Sequence, residues 1–587
     1  LDYYAFMNRS FRALTLPLLL AFASIDFAAA APATPAPKNS ALDAELFFQI
    51  TIGELSAQNG DSQNAFAAFM AAARKTKSEA LYEKAVKMAY ASGSADSVLQ
   101  ASQDWARAFP TSFDANRYLL QILIGLNRTG ESLEPLKRTL SSVVPSERQR
   151  AISSLPRIFS RSSEKKLALK VVEQALAPDL NKPTTGPSAW TTIGLLRLAA
   201  SDGPAALEAA RRGAALNPKS VEPIYLALNL PAAQDSAAEP LVKTFLANNP
   251  ASAVRLAYAQ KLRTSQRFAE SYTQVQRLIA EKPDPEDLAN AFLLRGDLEL
   301  QDRKLSEAKA SLTTYLQLVA PSSRQPASAE TRRSLMQAYW MLAEIAEKNQ
   351  QFDEAQAYLQ RIDSPQDALR VLGRRAMLLA RQGKMEQARA LIRSLPELEP
   401  ADQRNKIGLE VQLLREYKQY APAYQLLTQA MAQDPQEVEW AYELATVAEK
   451  MGKFDEMEQL LRRVIATKPD YHPAYNALGY SLADRNLRLP EARKLIQKAL
   501  EFAPEDPFII DSLGWVEFRS GNLAEALRLL QGAFNTRPDP EIAAHLGEVL
   551  WTLGDKALAT KIWDQGKALN TENETLVETI QRLSSKP

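Results

Sequence analysis

Two histidines and no cysteine occur in the 587 residues, so chemistry that needs a thiolate, a Cys-bound zinc or an iron–sulfur cluster is excluded at the outset. His545 stands three residues before Glu548 in HLGEVLW, and residues at i and i+3 share a helix face, a spacing that suits a metal ion. A metal centre needs a second group of ligands; the sequence supplies none, so this pair reads as a solvent or partner contact. Asp484 and Asp511 could act as paired carboxylates in hydrolysis if they met across a groove. The chain has no G-x-x-x-x-G-K-[ST], H-E-x-x-H or G-x-S-x-G, and no glycine fingerprint between a strand and a helix. An enzyme is therefore not expected, and no cofactor is implied.

The elements that must position these residues repeat along the chain. Gly or Ala, with one Val, marks the same place at Ala343, Ala376, Val411, Ala445, Gly479, Gly514 and Gly547, in steps of 33, 35, 34, 34, 35 and 33. A second mark, a closing proline, falls at Pro400, Pro435, Pro469, Pro504 and Pro538 in steps of 35, 34, 35 and 34. Small residues at Gly514 and Ala526 let two helices approach, Leu513 and Leu530 fill the space beside them, and Pro538 ends the second helix. The frame extends with falling fidelity through Gly296, Gly194 and Gly93 to Gly53 and Gly60, giving about fifteen helix pairs between residues 42 and 571. Each pair is too small to bury its apolar face alone, so the expected architecture is an all-α solenoid.

Three stretches break the period: 178–188, 228–240 and 321–330, all rich in Pro, Ser or Ala, are expected to be loops or irregular repeats. After Asn573, a helix cap, Leu576, Ile580 and Leu583 form one apolar stripe that suits a terminal capping helix.

The repeat resembles the tetratricopeptide pattern, W-x2-L-G-x2-Y then A-x3-F then P, and the resemblance implies a right-handed superhelix. In that family the first helix of each pair lines the concave side. Carried onto this sequence, its inward places hold Tyr442, Thr446 and Glu449; Asn476, Tyr480 and Asp484; Phe508, Asp511, Trp515, Phe518 and Arg519; and Glu548 and Trp551, with His545 beside them. Aromatics among Asn, Asp and Arg suit a partner-binding groove. Two alternatives stand beside this: Trp515 packs at the core edge, or Phe518 takes the core place where Glu517 replaces the usual large residue. Residues 476 to 565, through ALGYSLADR (477–485), DSLGWVEFR (511–519) and AAHLGEVLW (543–551), resemble exported bacterial tetratricopeptide proteins of the lipoprotein-adaptor kind. These deliver peptidoglycan hydrolases to a carboxyl-terminal processing protease.

The N-terminus adds an address. From Met7, Arg9 and Arg12 precede an apolar run from Ala13 to Ile25 and a small-residue exit at Ala28-Ala29-Ala30, which reads as a secretory signal cleaved near Ala30. The run is too short for a transmembrane span, and Asp26 interrupts it. With no cysteine the product cannot be lipidated at a processed N-terminus, a departure from the adaptor's pattern. The expected organisation is 1–30 upstream residues and signal, 31–41 Pro/Ala linker, 42–320 degenerate array, 331–571 regular array, and 572–587 capping helix and tail.

Seventy basic residues against sixty-nine acidic ones give a net charge of +1, so no global field draws nucleic acid or anionic lipid. The double arginines at 211–212, 332–333, 374–375 and 462–463 read as solvated helix faces. The expected function is a periplasmic, non-enzymatic scaffold that binds proteins or extended peptides, with no nucleic-acid partner. The resemblance implies a processing protease and its hydrolase substrates as partners. The alternative is a carrier or assembly factor for envelope polysaccharide, with groove aromatics stacked on sugars.

Overall fold

The computed structural model describes residues 43–319, 328–396 and 400–584. The expected signal and the Pro/Ala linker lie outside the described residues, as does most of 321–330. Among the described residues there are thirty-one α-helices, three short 3-10 helices and no strand. Fifteen helix pairs run from Ala44 to Leu569, and one further helix, Glu574–Ser584, follows. This is the all-α solenoid that the repeat implied. The chain divides into two compact units, residues 1–326 and 327–587.

The last three repeats show why these sequences make helix pairs. Asp506 accepts hydrogen bonds from the backbone N–H groups of Phe508 (2.8 Å) and Ile509, and Pro507 supplies a fixed φ in the first turn, so the helix Pro507–Arg519 starts there. It ends at Gly521, whose φ of +86° is open to glycine at no steric cost. The second helix, Leu523–Thr536, then returns along the first, and Gly514 sets how closely. A Cβ on Gly514 would lie 2.7 Å from Leu530 Cγ, so only a bare backbone allows this contact. Gly479 meets Ile496, and Gly547 meets Trp563, in the same way.

In the N-terminal unit the core runs without a break through adjacent pairs, from Leu120 through Ile193 to Leu262. A buried ion pair pins one junction: Arg148 Nη2 donates to Asp179 Oδ2 at 2.7 Å, and Thr185 donates to Asp179 Oδ1 at 3.1 Å. Burial opposes the charge on Asp179, but Arg148 outweighs it and holds this carboxyl below its ordinary range. The stretch 178–185 is a turn region, and the helix Gly186–Ala199 begins directly after it. The stretch 228–240 is more ordered than its composition suggests. The helix Asp235–Asn248 absorbs Pro240, because Ala238, Val242, Phe245 and Leu246 gain burial along one face.

In the C-terminal unit Val411 to Val516 share one core and Ala526 to Leu576 another. The final helix, Glu574–Ser584, is capped by Asn573, which accepts from Leu576 N at 2.9 Å. Leu576 is fully buried, with Ile580 and Leu583 packed beside it, and the opposite face is polar.

Candidate functional site

The first helices of three successive repeats, His472–Asp484, Pro507–Arg519 and Pro540–Thr552, bring the candidate residues together. His545 is at their centre and is buried, as is Asp511. The His545 Nδ1–H donates to both Asp511 oxygens, at 2.9 and 3.0 Å. On its other side Nε2 lies 3.2 Å from the hydroxyl of Tyr480, which is a further 3.5 Å from Glu541. The Trp515 ring stacks on the imidazole with centroids 4.3 Å apart and planes 23° apart, while its Nε1–H donates to Asp484 at 3.3 Å. Phe518 stacks on Trp515 with ring centroids 5.2 Å apart, and Arg519 lies over the same indole at 5.7 Å.

This electrostatic arrangement favours a charged imidazole. Burial pushes the His545 pKa down, yet Asp511 and the neighbouring carboxylates outweigh that, and the net shift is upward. Burial raises both the Glu541 carboxyl and, strongly, the Tyr480 phenol. The cluster is an interlocked polar core whose acids are answered chiefly by one histidine.

Several inward positions are therefore not open to a partner in the free chain. Trp515, Asp511, His545 and Glu548 are buried against one another or against neighbouring helices. Glu548 takes two hydrogen bonds from Arg582 of the capping helix, at 2.8 and 2.5 Å, so the His545–Glu548 face is divided between two different partners. The reason is curvature. Tyr480 and His545 belong to first helices two repeats apart, and Lys418 pairs with Glu574 across 156 residues, so the inner wall closes on itself. Trp515 takes the core-edge place. Glu517 keeps its inward position by pairing with Arg493 at 2.7 Å and accepting from Asn522, and Phe518 is left half-buried beside Trp515.

Other positions remain accessible. Asp484 is exposed; Tyr442, Asn476, Phe518, Arg519 and Trp551 are partly so. Tyr442 meets Tyr471 edge-on at 5.4 Å, and Trp551 packs on Trp563 at 5.4 Å with Lys556 over its ring at 4.7 Å. The Asn476 Oδ1 is buried yet has no hydrogen-bond partner among the described residues. Asp484 and Asp511 have separate tasks, one holding an indole and the other an imidazole, which is not the arrangement of a hydrolytic carboxylate pair. Among the described residues no group of three His, Cys, Asp or Glu is arranged to hold a metal ion. Nor is any described helix long and apolar enough to cross a membrane.

Sequence reasoning missed Glu541, Arg493 and Arg582. A signal existed for the last of these. Glu548 and Arg582 are 34 residues apart, as are Asp511 and His545, and a separation of one repeat places two residues side by side on neighbouring helices. Three of the arginine doublets serve similar ties: Arg374 pairs with Glu347 at 2.5 Å, Arg462 with Glu491 at 2.5 Å, and Arg211 donates to the Ala237 carbonyl.

Helix pairs stacked through such ties define the class, an all-α solenoid. Tetratricopeptide repeat models match residues 337–364, 414–479 and 512–566. The chain is also similar to a TPR repeat-containing protein of Pseudomonas aeruginosa, with 36% identity over 211 residues. That match covers 36% of this chain and 36% of the relative, so the chain spans about a third of the length of the curated relative it matches. Among solved structures, a thermophilic TPR protein of Thermus thermophilus is 21% identical with a TM-score of 0.28, covering 30% of this chain and 94% of its own. The Cut9–Hcn1 hetero-tetramer of the APC/C is 13% identical with a TM-score of 0.29, covering 92% and 90%. Tetratricopeptide repeats typically serve as protein-interaction scaffolds.

Proposed function

We propose that the chain is an adaptor of the bacterial envelope that brings a processing protease and its cell-wall hydrolase substrates together. One observation supports this reading above the others. The three stretches that carry the resemblance to such adaptors, ALGYSLADR, DSLGWVEFR and AAHLGEVLW, converge on one network through Tyr480, Asp484, Asp511, Trp515 and His545. Around this rigid block lie the accessible groups: the partly exposed Asn476, Asp484, Arg519 and Trp551. An aromatic anchor with polar neighbours is the chemistry of a protein-binding hot spot.

Affinity capture from periplasmic extract with the wild-type chain and with Asn476→Ala/Trp551→Ala tests the surface. The variant is expected to lose the protease and hydrolase partners while remaining folded by circular dichroism, with a lowered thermal midpoint because Trp551 packs on Trp563, and identical partner lists would refute the assignment. Tyr480 and Trp515 are unsuitable for this purpose, since removing them disturbs packing. The address is tested separately: expressed from Met7, the protein is expected in the periplasmic fraction with a new N-terminus near Ala31. A full-length product retained with the cytoplasm would contradict it.

A further inference from the structure

The His545 cluster contains a hydrogen-bond chain whose direction depends on one proton. It runs from Asp511 through the His545 imidazole and the Tyr480 hydroxyl to Glu541, at 2.9, 3.2 and 3.5 Å. Its middle member sets the direction. The Tyr480 oxygen carries a single proton, and it lies between an ionised carboxylate, which only accepts, and a ring nitrogen that donates or accepts according to charge. With His545 charged, Nε2–H donates to the Tyr480 oxygen and the Tyr480 O–H donates to Glu541, so every group is answered. With His545 neutral, Nδ1–H stays on Asp511 and the Tyr480 O–H turns back to Nε2. Glu541 then has no donor, because Tyr480 is the hydrogen-bond partner of its carboxyl among the described residues.

We propose that this chain is a proton-operated clasp on the inner wall: the charged imidazole holds the helices His472–Asp484 and Pro540–Thr552 together, and its neutral form lets them part. The surroundings act in the same sense. Asp484 and Asp511 face His545 from the two preceding first helices, and Glu541 faces it from its own. Glu449 also acts on Tyr480, and Asp539 and Lys450 act on Glu541. Glu548, on the same helix as His545, is held by Arg582. Behind them the second helices Leu523–Thr536 and Lys556–Leu569 present apolar side chains, among them Leu530, Phe534, Ile562 and Trp563. Loss of the imidazolium therefore leaves Glu449, Asp484, Asp511 and Glu541 near one another, with Lys450 and the already engaged Arg582 as their cations. Like charges at a half-buried site repel, and a bare carboxylate there calls for water. Both are relieved when the two helices separate and admit it. The width of the wall is thereby set by one proton, whichever protein it receives.

The chain has no cysteine, so two introduced thiols can carry spin labels in the full-length protein: Lys494→Cys and Lys561→Cys, exposed positions on the second helices of the two clasped repeats. These helices lie on the outer side of the curve, so parting the inner wall brings the labels closer. As His545 loses its proton, a shorter label distance is expected to grow at least about threefold in population. NMR of carbon-labelled histidine follows that titration in the His472→Gln background, where one imidazole remains. Tyr480→Phe keeps the ring but has no hydroxyl to turn, and is expected to lose most of the distance response. Distances that stay fixed while the imidazole titrates, a response undiminished in Tyr480→Phe, or an imidazole that stays charged until the chain unfolds would each overturn the clasp.

Discussion

Replacing His545 with leucine is expected to destabilise the C-terminal unit by about 3–5 kcal/mol, since a buried carboxylate is left without its counter-charge. Asp511 would keep its burial and lose its donor, and Trp515 would lose the ring it stacks on. Urea unfolding of the full chain followed by tryptophan fluorescence reads the loss as an earlier transition. Adding Asp511→Leu to His545→Leu is expected to recover most of it, because the pair is then removed together. A double variant as unstable as the single one would show that the pair is not what the site depends on. The pH dependence has a definite sign. The folded-state pKa of His545 lies above its ordinary 6.5, so its contribution is full below about pH 6.5 and is lost as pH rises through the folded value. Glu541, raised by burial, acts in the same sense from a lower pH, because the native state holds its proton longer than the unfolded chain does. The wild-type transition is thus expected to move to lower urea as pH climbs above 6.5, and the double leucine variant to be flat there. A wild type that is equally flat would contradict the charged imidazole.

The second large effect is steric. Gly547→Ala places a methyl group 2.0 Å from Trp563 Nε1 and 2.5 Å from its Cδ1. The indole is buried and packs on Trp551, so it has little room to yield. A loss of about 3 kcal/mol is expected, at the upper end of ordinary overpacking. Gly532→Ala is the matching control. Nothing lies within 4 Å of the new methyl, and an exposed helix position gains up to about 1 kcal/mol from the exchange. The two substitutions are chemically identical, and thermal melts that moved the same way would show that close approach of the helices is not what Gly547 provides.

The fold was legible because its determinants are local and repeat. Gly514, Ala526, Leu530 and Pro538 act within one helix pair, and a 34-residue rhythm carries the same instructions along the chain. The candidate site was legible only in its members. Their inward positions came from the repeat register, but whether they meet a partner or one another depends on the superhelix curvature. Curvature is the sum of small rotations between pairs, and no single residue encodes it. Tyr480 touching His545 is such a sum, spread over two junctions. Pairings at one-repeat separation were within reach. Asp511 with His545, Glu548 with Arg582 and Arg263 with Asp297 are all 34 residues apart and opposite in charge. Pairings such as Arg493 with Glu517, 24 apart, join a second helix to the next first helix and follow a spacing that the repeat marks did not use.

The Tyr480–His545 contact also gives the molecule a mechanical character. A solenoid whose repeats touch only their neighbours yields to tension like a zip, one repeat at a time and at low force. Here the repeat that carries Asp511 and Trp515 is clasped from both sides by helices that also touch each other, so it cannot peel away alone. Under load these three repeats bear shear together. They form a stiff bolt at the end of a more extensible spring.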